Sequence, residues 1–475
     1  MGQEIEHSGF NEADRQRFTE RQTAETAQLA DWLEKGVLMG GGHVAGLELE
    51  ACLVDPSMRP APCNDAFLAR FESNEVTAEL ARFNIEVNSP PQPIGGDFLH
   101  TMHEALEATW QRCHATAAAL DSRVVMTGIL PTLQPDDLTL SQMSSMVRYR
   151  ALNEQVLAAR QGRPLRLEIV GREHLQHEHP DVMLESAATS FQLHLQVAPR
   201  EAVRFYNASV IASAPLVAAC ANSPYLFGHD LWDESRIPLF EQAVEAGGFD
   251  GAAFGPVRRV TFGSGYVRES LLELFTENRD HYPVLLPVTL DEPAERLPHL
   301  TLHNGTVWRW NRPLVGFDHA GQPHLRIEHR PLPAGPTVAD CMANAALYYG
   351  LVHALAESNQ PPEECLPFAA ARDNFYQAAR HGLDATLIWL EGEPLPVQRL
   401  LLDRLLPLAR HALLAHECDA TTVDHYLGLI EQRVATGRTG AAWQRDFIAR
   451  HPGDFAALTR AMEAGARCGE PVHNW

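Results

Sequence analysis

Four separate stretches of the chain alternate apolar and polar residues with a period of two, which predicts strands with one face toward a core and one away from it. In AGLELEACL the leucines Leu47, Leu49 and Leu53 share a face and Glu48 and Glu50 share the other, about 7 Å apart by strand rise. FNIEVNSPP sets Phe83, Ile85 and Val87 against Asn84, Glu86 and Asn88. SFQLHLQV sets Phe191, Leu193, Leu195 and Val197 against Gln192, His194 and Gln196, and HLRIEHRPL sets Leu325 and Ile327 against Arg326, Glu328 and Arg330.

Between these strands the period lengthens. Residues 11 to 36 place Phe18, Ala24, Leu29 and Leu33 at helical spacing and run into Gly36 and Gly40-Gly41-Gly42, predicting a helix, its stop and a flexible entry to the first strand. Helical spacing recurs at 97 to 121 and 200 to 221, with β-like segments around 83 to 88, 124 to 129 and 190 to 197. From 240 to 332 the chain is rich in Gly, Pro, Thr and aromatic residues, with strand candidates near VTFGSGYV, TLHNGTVWRWN and HLRIEHR. From Thr337 onward the pattern is almost wholly helical. The expected class is α+β, divided into an N-terminal helix (1–39), an α+β core (40–335) and a helical C-terminal region (336–475) packed on that core.

Length and composition narrow the function classes. At 475 residues with 45% hydrophobic and 21% charged residues, the chain has the balance of a soluble globular protein of one or two domains. Its opening segment is polar and acidic and no apolar run reaches about 20 residues, so a cytoplasmic location with no membrane partner is expected. The eight cysteines contain no C-x-x-C pair and are read as reduced core thiols. A net charge of −23 repels nucleic acid, which is therefore not expected as a partner. Of the 38 basic residues only Lys35 is a lysine, and it closes the first helical stretch. A P-loop and lysine Schiff-base chemistry are both excluded, and GSGYVRES at 263 to 270 lacks the third glycine of a dinucleotide fingerprint and reads as a turn.

What remains is the polar face. Antiparallel sheets often solvate one face, but these four segments concentrate carboxylate, imidazole, amide and guanidinium rather than Thr, Ser and paired opposite charges. If the strands are neighbours, Glu48, Glu50, Glu86 and Glu328 supply the oxygen ligands that Mg²⁺ prefers, with His194 as a further ligand. Arg326 and Arg330 would then grip phosphoryl oxygens. Weaker candidates are His174, His177 and His179, read as a solvated loop; Arg148 beside Arg150; Arg236 in a loop suited to a carboxylate; and Arg309 between Trp308 and Trp310, read as packing.

The segments GLELE (46–50), FNIEVNSPPQP (83–93), FQLHLQV (191–197), ANSPYLFGHDLWDESR (221–236) and RIEHRPL (326–332), with ARDNFYQAARHGLDA (371–385), resemble the glutamate-cysteine ligase family. The likeness is to its carboxylate-amine ligase branch within the glutamine-synthetase-like superfamily, and runs from about residue 40 to 380. It implies a curved antiparallel sheet with helices behind it, two or more Mg²⁺ (Mn²⁺ as an alternative), ATP, and an acyl phosphate attacked by an amine. Glutamate and an amine such as cysteine are the implied substrates, within glutathione biosynthesis, and a homo-oligomer is left open. Carried over by position, Glu48, Glu50, Glu86, His194 and Glu328 become metal ligands. Arg330 steadies the transferring phosphoryl group with Arg326 on the nucleotide, while Arg236, Arg148 and Asn222 bind substrate. The chain departs from the pattern at Gln192, where several members have histidine, and at Pro331-Leu332-Pro333, where an Asp is common. A metal-dependent hydrolase and a non-catalytic ligand-binding protein are the alternative readings, separated from a ligase by ATP binding and by product formation.

Overall fold

The computed structural model describes residue 5, residues 9–246 and residues 258–475; the rest of the polar opening and part of the glycine-rich stretch after 240 lie outside the described residues. Among the described residues an eight-stranded sheet organises the molecule. Its strands are β1 (Val44–Val54), β2 (Val76–Ala78), β3 (Asn84–Asn88), β4 (Gln92–Pro93), β5 (Arg123–Val125), β6 (Phe191–Val197), β7 (Asn311–Phe317) and β8 (Pro323–His329). The order is β7-β8-β6-β1-β3-β2, antiparallel throughout, with β4 and β5 pairing opposite ends of β1.

The helices that matter for the site are α1 (Glu12–Lys35), α2 (Phe98–Ala118), α3 (Val147–Ala159), α4 (Ala202–Cys220), α5 (Arg236–Ala243), α6 (Pro298–Asn304), α7 (Val338–Ala356), α8 (Leu406–Ala415) and α9 (Ala420–Thr436). Helix α1 starts in a reciprocal capping box between Asn11 and Asp14 and stops at Gly36, whose φ of 66° only glycine adopts cheaply. The alternation read from the sequence puts Leu47, Leu49, Phe191, Leu193, Leu195 and Ile327 in the core, where α4 and α7 pack on each other and on the sheet. Fully burying each of these side chains contributes about 1.5–3 kcal/mol. Tyr349 of α7 fixes the distance between layers by donating to the Gly46 and His194 carbonyls at 2.9 and 3.2 Å.

Among the described residues one helix, α4, is long and apolar enough by length and composition alone to cross a membrane. With 89% of its apolar window buried within the fold, it is a core helix.

Three expectations need correction. TLHNGTVWRWN is not one strand: Pro298 at the first helical position starts α6, which runs through Asn304, Trp308–Arg309 pair in parallel with Val260–Thr261, and Asn311 opens β7 against β8. VTFGSGYV stops at that short pair, and Gly263 follows with a φ of 118°. GREHLQHEHPD is not a loop, since Leu165–Val170 and His174–His179 form a hairpin in which Leu175 is buried and His179 is held by Asp181 at 3.1 Å. The helical C-terminal third is also interrupted by a small ribbon, Thr386–Ile388 with Pro394–Pro396. All eight cysteines are free, and most are buried.

Candidate active site

Strand register carries the polar face across the middle of the sheet. Glu328 on β8 opposes His194 on β6; Glu48 on β1 opposes Gln192 on one side and Asn88 on the other; Glu50 opposes Glu86 on β3. The condition on which the sequence reading depended, that the four strands be neighbours, is met. Their carboxylates line a cavity of about 270 Å³ together with Glu79, Glu185, Arg148, Arg236, Arg312, Arg326 and Arg330.

Two groups of side chains that could each hold a cation stand side by side there. Glu48, His194 and Glu328 each offer a ligand atom within 4.8 Å of the others, and so do Glu50, Glu79 and Glu86. His194 Nε2 lies 3.4 Å from Glu48 Oε1 and 4.0 Å from Glu328 Oε1. Its buried Nδ1 has no hydrogen-bond partner among the described residues, which is costly unless something else is bound. In the second set, burial and the neighbouring Glu86 push the Glu50 carboxyl up to about 7, and burial with Glu48 and Glu79 pushes Glu86 up to about 8. Carboxyls crowded and desolvated in this way repel one another until a proton or cation intervenes. All-oxygen donors at one position and two carboxylates with an imidazole at the other fit Mg²⁺ or Mn²⁺.

The surrounding hydrogen bonds orient these groups. Ser190 donates its N–H and hydroxyl to the two Glu50 oxygens, each at 2.8 Å, and Asn88 Nδ2 donates to Glu86 at 3.0 Å. Arg312 forks onto both Glu328 oxygens at 2.7 and 3.0 Å, and Arg330 adds a third contact at 3.0 Å. Burial alone would raise Glu328, but these two guanidinium groups and His194 hold it well below the usual carboxylate range. Gln192 joins the two halves: its Nε2 donates to Glu50 at 3.1 Å and its Oε1 accepts from Arg330.

The other sequence candidates divide. Arg326 lines the cavity from β8, and its Nε has no partner among the described residues. Arg236, at the start of α5, also lines it, while its Nε and Nη2 are taken by Glu234 and by the Arg330 and Pro331 carbonyls. Arg148 is buried against Tyr149 at 2.6 Å, and Arg150 is exposed, so the two do not act as a pair. Asn222 stands apart from the cavity wall, donating to the Ala334 carbonyl at 2.8 Å and accepting from Gln444 at 2.9 Å. Arg309 is not sandwiched by tryptophans: it lies over Tyr282 at 5.3 Å and pairs with Glu277 at 3.2 Å. Trp310 is packed and donates to Glu241 at 2.9 Å, whereas Trp308 reaches the cavity wall.

Sequence reasoning missed Glu79, Glu185 and Arg312. Glu79 follows a strand of only three residues, too short to show alternation, and Glu185 sits in a six-residue 3-10 helix with its carboxyl pushed up to about 8 by burial and Glu79. Arg312 opposes Glu328 across β7 and β8. Its strand, NRPLVGF, contains Pro313, a residue that breaks the alternation and that an edge strand tolerates.

A family model described as Glutamate-cysteine ligase family 2 (GCS2) matches residues 44–465. In fold the chain is similar to a glutamate-cysteine ligase from Francisella tularensis solved in complex with AMP, at 11% identity over 90% of each chain and a TM-score of 0.54. It is also similar to a bifunctional glutathione synthetase from Pasteurella multocida, at 11% identity and a TM-score of 0.52, covering 94% of this chain and 55% of that one. At such identities the likeness is one of fold. No curated protein matches the chain in sequence.

Proposed function

From the premise that the chain belongs to glutamate-cysteine ligase family 2 and is a carboxylate-amine ligase, we propose that it uses ATP and Mg²⁺ to join the γ-carboxylate of glutamate to the amine of cysteine or another amino compound. The observation that carries this reading is the pair of ligand sets on one sheet face, bordered by arginines in a single cavity. Glu48, His194 and Glu328 would hold one cation, and Glu50, Glu79 and Glu86 a second. A bound divalent cation supplies neutralisation of phosphate charge and polarisation of the γ-phosphoryl group.

The chain's own residues do the rest. Arg330 and Arg326 present N–H groups to phosphoryl oxygens, the task that lysine performs elsewhere and that this lysine-poor sequence leaves to arginine. Arg312 locks Glu328 in place from the outer side. Arg236 and Arg148 supply positive charge on the cavity wall for a substrate carboxylate. The apolar side chains of Leu302, Trp308 and Val315 form the part of the wall suited to a nucleobase. In the reaction, a carboxylate oxygen of the substrate bonds to the γ-phosphorus as its bond to ADP breaks. The amine nitrogen then attacks the acyl carbon, phosphate leaves, and the nitrogen gives up its proton.

Purified protein with ATP, Mg²⁺, glutamate and a panel of amines should release ADP in an amine-dependent way and yield an amide identified by mass spectrometry. Glu328→Ala and Arg330→Ala should each remove turnover with circular dichroism unchanged. Absence of amine-dependent ADP release across a broad panel would overturn the reading, and hydrolysis without nucleotide would replace it.

A further inference from the structure

A second cluster of ligating side chains lies on the sheet's other side, where the helices pack. His43 immediately precedes β1, His353 is in the last turn of α7, Glu357 follows α7, and His416 follows α8. Each offers one ligand atom within 4.8 Å of the others, and none belongs to the cavity described above.

Hydrogen bonding fixes which atoms face inward. His353 Nδ1 lies 2.7 Å from the Tyr349 carbonyl, which can only accept, so Nδ1 carries the proton and Nε2 keeps a lone pair. His43 Nε2 lies 3.2 Å from a Glu201 carboxylate oxygen, so in the neutral ring Nδ1 keeps a lone pair too. Those two lone-pair nitrogens face each other at 3.0 Å. That contact is repulsive unless a positive species lies between them. His416 Nε2 and Glu357 Oε1 close the cluster at 2.8 Å.

We propose that His43, His353, His416 and Glu357 form a tetrahedral site for a transition-metal ion of the zinc type. Three imidazoles and a carboxylate suit Zn²⁺ better than Mg²⁺, and a tetrahedron with bonds of about 2.0–2.1 Å has edges of about 3.3 Å, close to the two short separations present. A carbonyl behind His353 and a carboxylate behind His43 are the outer partners that orient metal-bound histidines. Buried His353 gives the site a fixed floor, while His416 and Glu357, with side chains 27% and 43% exposed, give the ion a way in. With four protein ligands the site is closed, as structural sites are. It would tie the start of β1 to the C-terminal ends of α7 and α8.

The test uses the whole chain in saturating Mg²⁺, titrated with Co²⁺ and then Zn²⁺. One equivalent of Co²⁺ should develop the visible absorption of a tetrahedral centre, and Zn²⁺ should displace it. His416→Ala and Glu357→Gln, both at the exposed side, should weaken Co²⁺ binding at least tenfold, and Glu201→Gln about 10- to 100-fold. Glu328→Ala, on the opposite face, should leave the spectrum unchanged. No tetrahedral band in the unmodified protein would show that the two imidazoles share only a proton and would overturn the proposal. So would a band that survives His416→Ala and Glu357→Gln, or one lost in Glu328→Ala. The readout is spectroscopic and does not depend on ligase activity.

Discussion

Gln192 is the residue through which the two ligand sets communicate, since one amide serves both Glu50 and Arg330. Gln192→Ala should leave the fold unchanged and lower kcat by about 10- to 100-fold, the usual effect of removing an orienting partner; steady-state kinetics with a thermal melt as control would check it. A second expectation follows from Glu50 and Glu86, held at about 7 and about 8 against an unfolded value near 4.3. Between those values the native state binds more protons than the unfolded chain. The stability these groups contribute without a cation is therefore complete below about pH 4 and lost as pH rises through about 7 to 8. Melts of cation-free protein should fall in Tm from pH 5 to pH 8; Mg²⁺ should reverse the fall with proton release, and Glu86→Gln should flatten it. At this scale the sequence was half legible. Glu48, Glu50, Glu86, His194 and Glu328 announced themselves by alternation, whereas Glu79, Glu185 and Arg312 sit where a short strand, a turn or a proline hides the period.

Among the elements, strand pairing does the work of convergence. Every candidate ligand on β1, β3, β6 and β8 is brought to one face by antiparallel register, and a one-residue slip would turn a strand's whole polar set into the core. Strands β1, β3, β6 and β8 and helices α1, α2, α4 and α7 were all readable, because each carries its period over several residues. The two-residue strands, the hairpin at 165–179 and the helix within TLHN were not, because pairing partners and a proline decided them. Tyr349→Phe removes the hydroxyl that links α7 to the sheet and should cost about 0.5–1.5 kcal/mol in urea unfolding. Leu193→Ala, in the fully buried layer between them, should cost about 2–5 kcal/mol.

Across the whole molecule, one large hydrophobic cluster includes Phe18, Leu49, Leu193, Leu347, Leu413 and Ile430, so α7, α8 and α9 share their core with the sheet, while Trp443, Leu458, Met462 and Val472 pack with Tyr225 in a smaller cluster of their own. Arg433 of α9 is buried against Asp340 of α7 at 2.7 Å and Asn344 at 2.6 Å. Arg433→Met would strand the Asp340 carboxylate and should destabilise the protein by about 3–5 kcal/mol, read from the shift in denaturation midpoint. The net charge of −23 was legible as repulsion of polyanions, but not how it is arranged. In the fold, the cavity's carboxylates are answered by Arg148, Arg236, Arg312, Arg326 and Arg330.

Glu48 and Glu50 sit two positions apart on one strand, and each anchors a different ligand set. The backbone pitch of β1 thus acts as a ruler, dividing the two sets by about 7 Å at their roots whatever the side chains do. Changing a side chain can empty one mark on that ruler, but only an insertion or bulge in β1 can move one mark relative to the other. Variation in this site is therefore expected to alter occupancy and substrate grip long before it alters spacing.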